Sequence, residues 1–556
     1  MLFRSPEGSG ATPYSATLSA SGGVPPYSGS IMSGSVPAGL ALNASAGTIT
    51  GKPTSLGTFN FTVKVTDSVS QTATAPLSIL VITCNNDGAL TGSWAMLLEG
   101  YNKGYNDGQG PAPFMAEVGS FVADGAGNIT GGSLDTNDQV NGPAAGTITG
   151  GKYCVTTNNT GLVTLNQDVG GSSTAHTYAI ALNTSNGNGR IIYYDGSTLF
   201  GSGPLRKQTM SPYSTGKING DYAFGFIGAD SGGPAAVSRF GMAGEFNSNG
   251  VGTLSGLADA NADGTLTSSA TLQASDFTVL SSTTGRGTVT ITFVGLGTMN
   301  YVFYVVNSSE LLMMETDSAT DTLLAGRVLG QASGGTFTNL SLDGNVIMGM
   351  QSIDTSGSSP VGDVTGGIFN ATGSGTYSLS FDDNDGGTGS TVSVSGTYSV
   401  APSGRVTLTG GAPSPVLYLV TPNQGFVIGT DTGVSFGQFY PQTGSSFTNA
   451  SFSGLYTGGS EDPEDANAGS AVSSLTSSGA GDLTGLSLND KGDGSGGQNN
   501  AISATYTVAG DGRVVVSEGG TTFGYMYIID ATSALFIPAP GSENGNPDPT
   551  LEWFEQ

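Results

Sequence analysis

One histidine, two cysteines and two tryptophans in 556 residues leave little material for the chemistry most enzymes use. A histidine-dependent mechanism repeated along the chain is excluded, and two cysteines with one histidine do not complete a zinc ligand set. Charge is also scarce: 10% of residues carry it, 15 basic against 42 acidic, for a net charge of −27. A lysine-poor, acidic surface repels nucleic acid and anionic membranes. No stretch approaches the roughly 20 apolar residues of a spanning helix, so membrane insertion is not expected. Met1-Leu2-Phe3-Arg4 runs into Ser5-Pro6-Glu7 and not into an apolar signal core, so the expectation is that either an export signal is missing or the chain is a fragment. Glycine is what abounds, 91 residues, yet without a Gly-X-Y period and beside 37% hydrophobic residues. Collagen and plain disorder both fit poorly.

Residues 11 to 83 alternate with period 2, as in Phe59-Asn60-Phe61-Thr62-Val63-Lys64-Val65, between Gly, Pro and Asn turns. This is the pattern of a β-sandwich. The words Gly22-Gly23-Val24-Pro25-Pro26-Tyr27, Pro37-Ala38-Gly39-Leu40, Gly47-Thr48-Ile49-Thr50-Gly51 and Val63-Lys64-Val65-Thr66-Asp67 closely resemble the Ig-like repeats of large bacterial surface proteins. The resemblance covers about 70 residues. It implies a module used in tandem as a spacer or adhesion stalk, here incomplete at its start.

The remainder repeats four times. The opener recurs around Gly92, Gly220, Gly344 and Gly454. A second word follows in each unit (Gly127-Asn128-Ile129-Thr130, Gly252-Thr253-Leu254-Ser255, Gly375-Thr376-Tyr377-Ser378, Gly481-Asp482-Leu483-Thr484) and leads into an Asp/Asn turn. A third pairs an aromatic strand with a glycine turn, as in Tyr398-Ser399-Val400 with Gly404-Arg405-Val406; its counterparts include Gly161-Leu162-Val163, Gly287-Thr288-Val289 and Gly512-Arg513-Val514. About eight short strands in 110–125 residues is the arithmetic of an eight-stranded up-and-down barrel, which also removes the exposed edges of a glycine-rich sheet. A four-plus-four sandwich has the same strand count. The expected fold is therefore all-β: an Ig-like sandwich over 1–84, then units at 85–209, 210–332, 333–444 and 445–556. The layout also resembles avidin-type barrels, whose pockets imply several tryptophans; this chain has Trp94 and Trp553.

Few residues point to chemistry. Cys84 in the linker and Cys154 on the outward face of its strand are placed to form one disulfide, with two free thiols as the alternative. Asp259-x-Asn261-x-Asp263-Gly264 matches the start of a calcium loop, although Ala270 stands at position 12. Related acidic turns recur at Asp135/Asn137/Asp138, Asp382/Asp383/Asn384/Asp385 and Asn489/Asp490/Asp493, where ordinary hairpin capping serves equally. Calcium is the one cofactor the sequence allows. Asp230-Ser231-Gly232-Gly233-Pro234 resembles the nucleophile word of chymotrypsin-like proteases, but His176 falls in the preceding unit, so a triad is not expected. No acid recurs at an inward strand position; Glu245 aligns with Ser120.

No catalytic residue is assigned and an enzyme is not expected. The reading is an extracellular or cell-surface bacterial protein, structural or adhesive, a filament subunit in its most specific form, with Met1 to Gly10 and the final Trp553-Phe554-Glu555-Gln556 strand as joints. Its partners would be further copies, other surface proteins or glycans. The competing reading is a carbohydrate or small-ligand binder using exposed Tyr101, Tyr105, Tyr193 and Tyr194, or a barrel mouth.

Overall fold

The structure, a computed structural model, describes the chain except residues 1–7, 10–13, 19, 56, 105–111, 230–238, 319–321, 333–335, 355–360, 412–413, 462–468, 491–496 and 542–549. Among the described residues the elements are strands and four short 3-10 turns.

The first module packs a four-stranded sheet against a three-stranded one. Strands Gly57–Thr66 and Thr72–Ile82 form the long hairpin of the larger sheet, with Gly8–Ser9 added in parallel along Val81 and Ile82. Alternation sends Phe61, Val63, Ile79 and Val81 inward to meet Tyr14 and Ile49.

Four closed eight-stranded barrels follow, with every strand paired to its sequence neighbours. They open with Thr91–Asn102, Asn219–Ala229, Asp343–Asp354 and Ser453–Ser460, and close by pairing these with Leu199–Lys207, Leu323–Gly330, Phe436–Pro441 and Glu552–Glu555. Barrels are thus realised and sandwiches are not. The recurring words explain the construction. A 3-10 turn enters each barrel, and the aromatic of the third word closes the base behind it. Tyr506 donates to the carbonyls of Phe452 (2.8 Å) and Asn449, and Tyr398 to those of Leu342 (2.5 Å) and Asn339. The second word is a hairpin turn needing left-handed backbone at both glycines, Gly125 (φ 80°) and Gly127 (φ 90°) in the first unit. Its Asp124 accepts from the Asn128 side-chain amide and from the backbone of Asn128 and Ala126, which holds the carboxyl below its ordinary range.

The barrels do not run in line. The opening strands of each pack on the sixth to eighth strands of the next, and the opening strands of barrel four pack on those same strands of barrel one. A head-to-tail contact made four times closes a ring. Each junction has its own buried apolar cluster: Leu97, Val118 and Phe200 with Val302, Leu312 and Met314; Ile227 and Ala243 with Ile428 and Phe436; Ile347 and Val364 with Leu535 and Ile537; Ala181 and Ile192 with Val472 and Leu488. The closing strand, expected to be a joint between chains, is built into barrel four, with Trp553 and Phe554 buried. Gly8–Ser9 is paired within the first module, and the rest of the other expected joint, Met1 to Glu7 and Gly10, lies outside the described residues.

Candidate functional site: the barrel junctions

The acidic turns are the junction hardware. In the first three units the third strand carries Asp-x-Asn with both side chains buried: Asp135/Asn137, Asp259/Asn261 and Asp382/Asn384. Two positions apart on a strand, both point the same way, outward toward the next barrel. Each aspartate meets an arginine from the fifth strand of that barrel and a tyrosine from its sixth. Arg286 forks onto Asp135 (2.8 and 2.6 Å) with Tyr304 at 2.8 Å; Arg405 forks onto Asp259 (2.6 and 2.8 Å) with Tyr418; Arg513 forks onto Asp382 (2.5 and 2.9 Å) with Tyr527. Arginine and tyrosine are cross-strand partners in all three cases. The bidentate geometry is what makes arginine, rather than lysine, suit the place. Burial works to raise the Asp259 carboxyl, but Arg405 and Tyr418 hold it below its ordinary range. The asparagine amides donate to carbonyls of the same neighbour: Asn137 to Glu315, Asn261 to Gly429 and Asp431, Asn384 to Pro538. A glutamine leaving each of these three barrels repeats the device, Gln208 bonding the carbonyls of Thr284 and Val305, Gln331 those of Ser403 and Leu419, and Gln442 those of Asp511 and Ile528.

The fourth junction is different. Strand register places Leu488 where the aspartate stands in the other units, and Leu162 and Ala179, themselves cross-strand partners, where the arginine and tyrosine stand. All three are buried together. Polar contacts there are made instead at Glu461 and Glu555 of barrel four. Arg190 of barrel one bonds Glu461 at the opening of barrel four (2.6 Å), and Asn183, Asn186 and Asn188 gather on Glu555 (3.1, 2.9 and 3.0 Å).

A buried chain of charges connects all four barrels. Arg206 bonds Glu310 (3.2 Å), Glu310 bonds Arg327 (2.8 Å), Arg327 reaches Gln438 (3.2 Å), Gln438 reaches Glu461 (3.3 Å), and Glu461 returns to Arg190. Burial opposes ionisation of Glu310 and Glu461. The flanking arginines prevail and hold both carboxyls below their ordinary range.

Inside barrel one, Glu117 accepts from Tyr178 (2.8 Å) and Tyr193 (2.7 Å), with Gln167 bonded to Tyr178. Burial raises the Glu117 carboxyl. His176 lies beside this plug, its Nδ1 2.8 Å from Asp195. The protease-like word Asp230 to Pro234 lies outside the described residues, as does Tyr105.

The structure thus engages the calcium candidates otherwise. Asp259 accepts from Arg405, Tyr418, Ser268 and the Ser269 amide, Asn261 clamps barrel three, and Asp263 sits in the adjoining turn at φ 46°. Cys84 and Cys154 are bonded to each other, S–S 2.14 Å. The exposed aromatics require correction. Tyr101 packs on Phe114 and Phe200 in the first junction, Tyr193 is inside barrel one, and Tyr194 is buried in the fourth junction. Sequence reasoning missed the arginine–aspartate–tyrosine set because Gly287 was aligned with Gly404, whereas Arg286 is the register counterpart of Arg405 and Arg513.

Residues 4–82 match the family model described as "Putative Ig domain". No curated protein matches the chain. An Ig-like module of this kind suggests an extracellular protein, and no helix of the described residues is long and apolar enough to cross a membrane.

Proposed function

We propose that this chain is a structural or adhesive protein of the bacterial cell surface or its secreted matrix, with the Ig-like module as spacer and the four-barrel ring as a stiff head. The observation that supports it is where the arginines go. Each of the seven among the described residues, Arg239 included through the carbonyl of Val434, bonds across a barrel junction. The scarce strong cations serve assembly of the head, and the repeats supply surface and stiffness rather than a shared reactive centre. The filament-subunit form of the reading places contacts between chains on the outer surfaces of modules, since the barrel faces that would join units end to end are used within the ring.

Light scattering with negative-stain imaging of the intact chain, with and without calcium, is the test. Fibres or ordered rows of particles are expected of a subunit. A monodisperse monomer that also fails, when coated on beads, to adhere to glycan and matrix-protein surfaces would overturn the proposal. Barrel four favours a second reading, small-ligand binding, because its interior holds a cavity.

A further inference from the structure

Register alignment of the first two strands sets barrel four apart. Where barrel two points Phe226 and Met242 inward, as facing partners, barrel four has Ser460 and Ala471. Phe226 and Met350 of barrels two and three lie opposite Gly326 and Gly437 on the closing strand. Ser460 lies opposite Glu552. Small side chains thus replace the fillers, and a carboxylate replaces glycine. The result is a cavity of about 520 Å³ in the barrel interior, within the 300–1,000 Å³ of small-molecule sites. Large-to-small changes in a core cost stability when left unfilled.

The lining is chemically one-sided. Leu475, Leu483, Val516, Met526 and Phe554 make an apolar body, while Asn489, Asn500 and Ser473 supply neutral hydrogen-bonding groups. Among the described residues the titratable lining groups are Glu552 and Glu518, and none of the described lysines, arginines or His176 lines the cavity. Among the described residues no donor reaches the Glu552 carboxyl, and burial pushes it up to about 7. Arg190, behind the strand, lowers it only in part, being bonded to Glu461. On the cavity side, among the described residues, the Glu552 carboxylate meets neutral groups and no counter-charge, and a net charge of −27 draws cations to the molecule.

We propose that barrel four binds a small organic cation, an amine or guanidinium on an apolar skeleton, with the charged group on Glu552 and the skeleton among Met526, Phe554 and their neighbours. The site is independent of whether the head is structural or adhesive, since binding in the barrel neither requires nor prevents contacts between chains.

The test is calorimetric titration of the intact chain with 2-phenylethylamine, its neutral counterpart 2-phenylethanol and the anion phenylacetate, near pH 7 in two buffers of different ionisation enthalpy. The amine is expected to bind at least tenfold more tightly than the alcohol, with proton release as Glu552 ionises, and phenylacetate not at all. Glu552→Gln is expected to lower amine affinity tenfold or more and abolish the proton release. Ala471→Met, which fills the cavity with the side chain barrel two uses, is expected to weaken amine and alcohol alike. Near-unchanged circular dichroism certifies each variant's fold; Glu552→Asp, which keeps the charge, is expected to retain amine preference. Absence of amine binding at millimolar concentration, equal binding of alcohol and amine, or unaltered affinity in Glu552→Gln would overturn the assignment.

Discussion

Replacing Asp259 by alanine leaves Arg405 and Tyr418 facing a buried gap in the second junction. Asp259 is fully buried and accepts from the Arg405 fork, the Tyr418 hydroxyl, the Ser268 hydroxyl and the Ser269 amide. Removing one partner of a buried pair costs about 3–5 kcal/mol. The Arg405 side chain is 15% exposed and regains some water, so about 2–4 kcal/mol is expected for Asp259→Ala. The fourth junction supplies the control. Its Leu488, Leu162 and Ala179 occupy the register positions of aspartate, arginine and tyrosine and pack as an apolar cluster. The triple change Asp259→Leu, Arg405→Leu, Tyr418→Ala therefore removes the buried arginine–aspartate–tyrosine set together, leaving only the exposed Ser268 hydroxyl and Ser269 amide to turn to water, and should lie within about 1–2 kcal/mol of the parent, since well-packed apolar groups replace buried ion pairs at little net cost. Guanidinium denaturation gives the magnitudes. Because four barrels need not unfold together, hydrogen exchange of strands Leu254–Ala262 and Arg405–Thr409 reports on that junction. A single-variant loss below about 1 kcal/mol, or a triple variant no better than the single, would refute the reasoning.

Three further outcomes follow from the same geometry. Glu310, Glu461 and Glu555 are held below 4.5 in the folded ring by arginines that overcome burial, aided at Glu555 by asparagines, so their contribution is present above that pH and lost as pH falls through the lowered values; the radius of gyration from X-ray scattering should rise below about pH 4.5 while β circular dichroism persists. Glu552, raised to about 7, has the opposite sign: its neutral form favours folding at low pH and that advantage disappears as pH rises to 7, so Glu552→Gln should gain about 1–3 kcal/mol over the parent at pH 8 and little at pH 5 in urea titrations. The Cys84–Cys154 bond closes a loop with a sequence separation of 70, and Cys84→Ser with Cys154→Ser should cost about 4 kcal/mol on chain-entropy grounds, read from the thermal unfolding of barrel one.

Much of the fold was legible because glycine turns and aromatic words recur with the strands between them. Eight strands per unit followed from counting hairpins, and the outward position of Cys154 from alternation alone. Alternation says which face a residue is on and not what covers that face. Tyr101 and Tyr194 therefore read as exposed, although neighbouring barrels bury them. Asp259 and Asn261 read as cation ligands for the same reason, since their partners Arg405 and Gly429 belong to another repeat. Ring closure left no repeated mark: the fourth junction lacks the arginine–aspartate–tyrosine set, and its Arg190–Glu461 and Asn188–Glu555 contacts join residues far apart in the chain. The cavity of barrel four was hidden until register put Ser460 and Glu552 beside Phe226 and Gly326.

Closure of the ring underlies the stiff head, the charge chain that joins all four barrels and the placement of Arg190, and a distance across the fourth junction tests it directly. Ser185 and Gln556 are in contact there, the serine hydroxyl donating to the Gln556 carbonyl at 3.2 Å. With spin labels at these two positions, double electron–electron resonance should give one narrow distribution at short distance, unchanged by dilution and broadened in Arg190→Ala. A broad distribution at several tens of ångströms in the parent chain would contradict the ring and return the barrels to an open row.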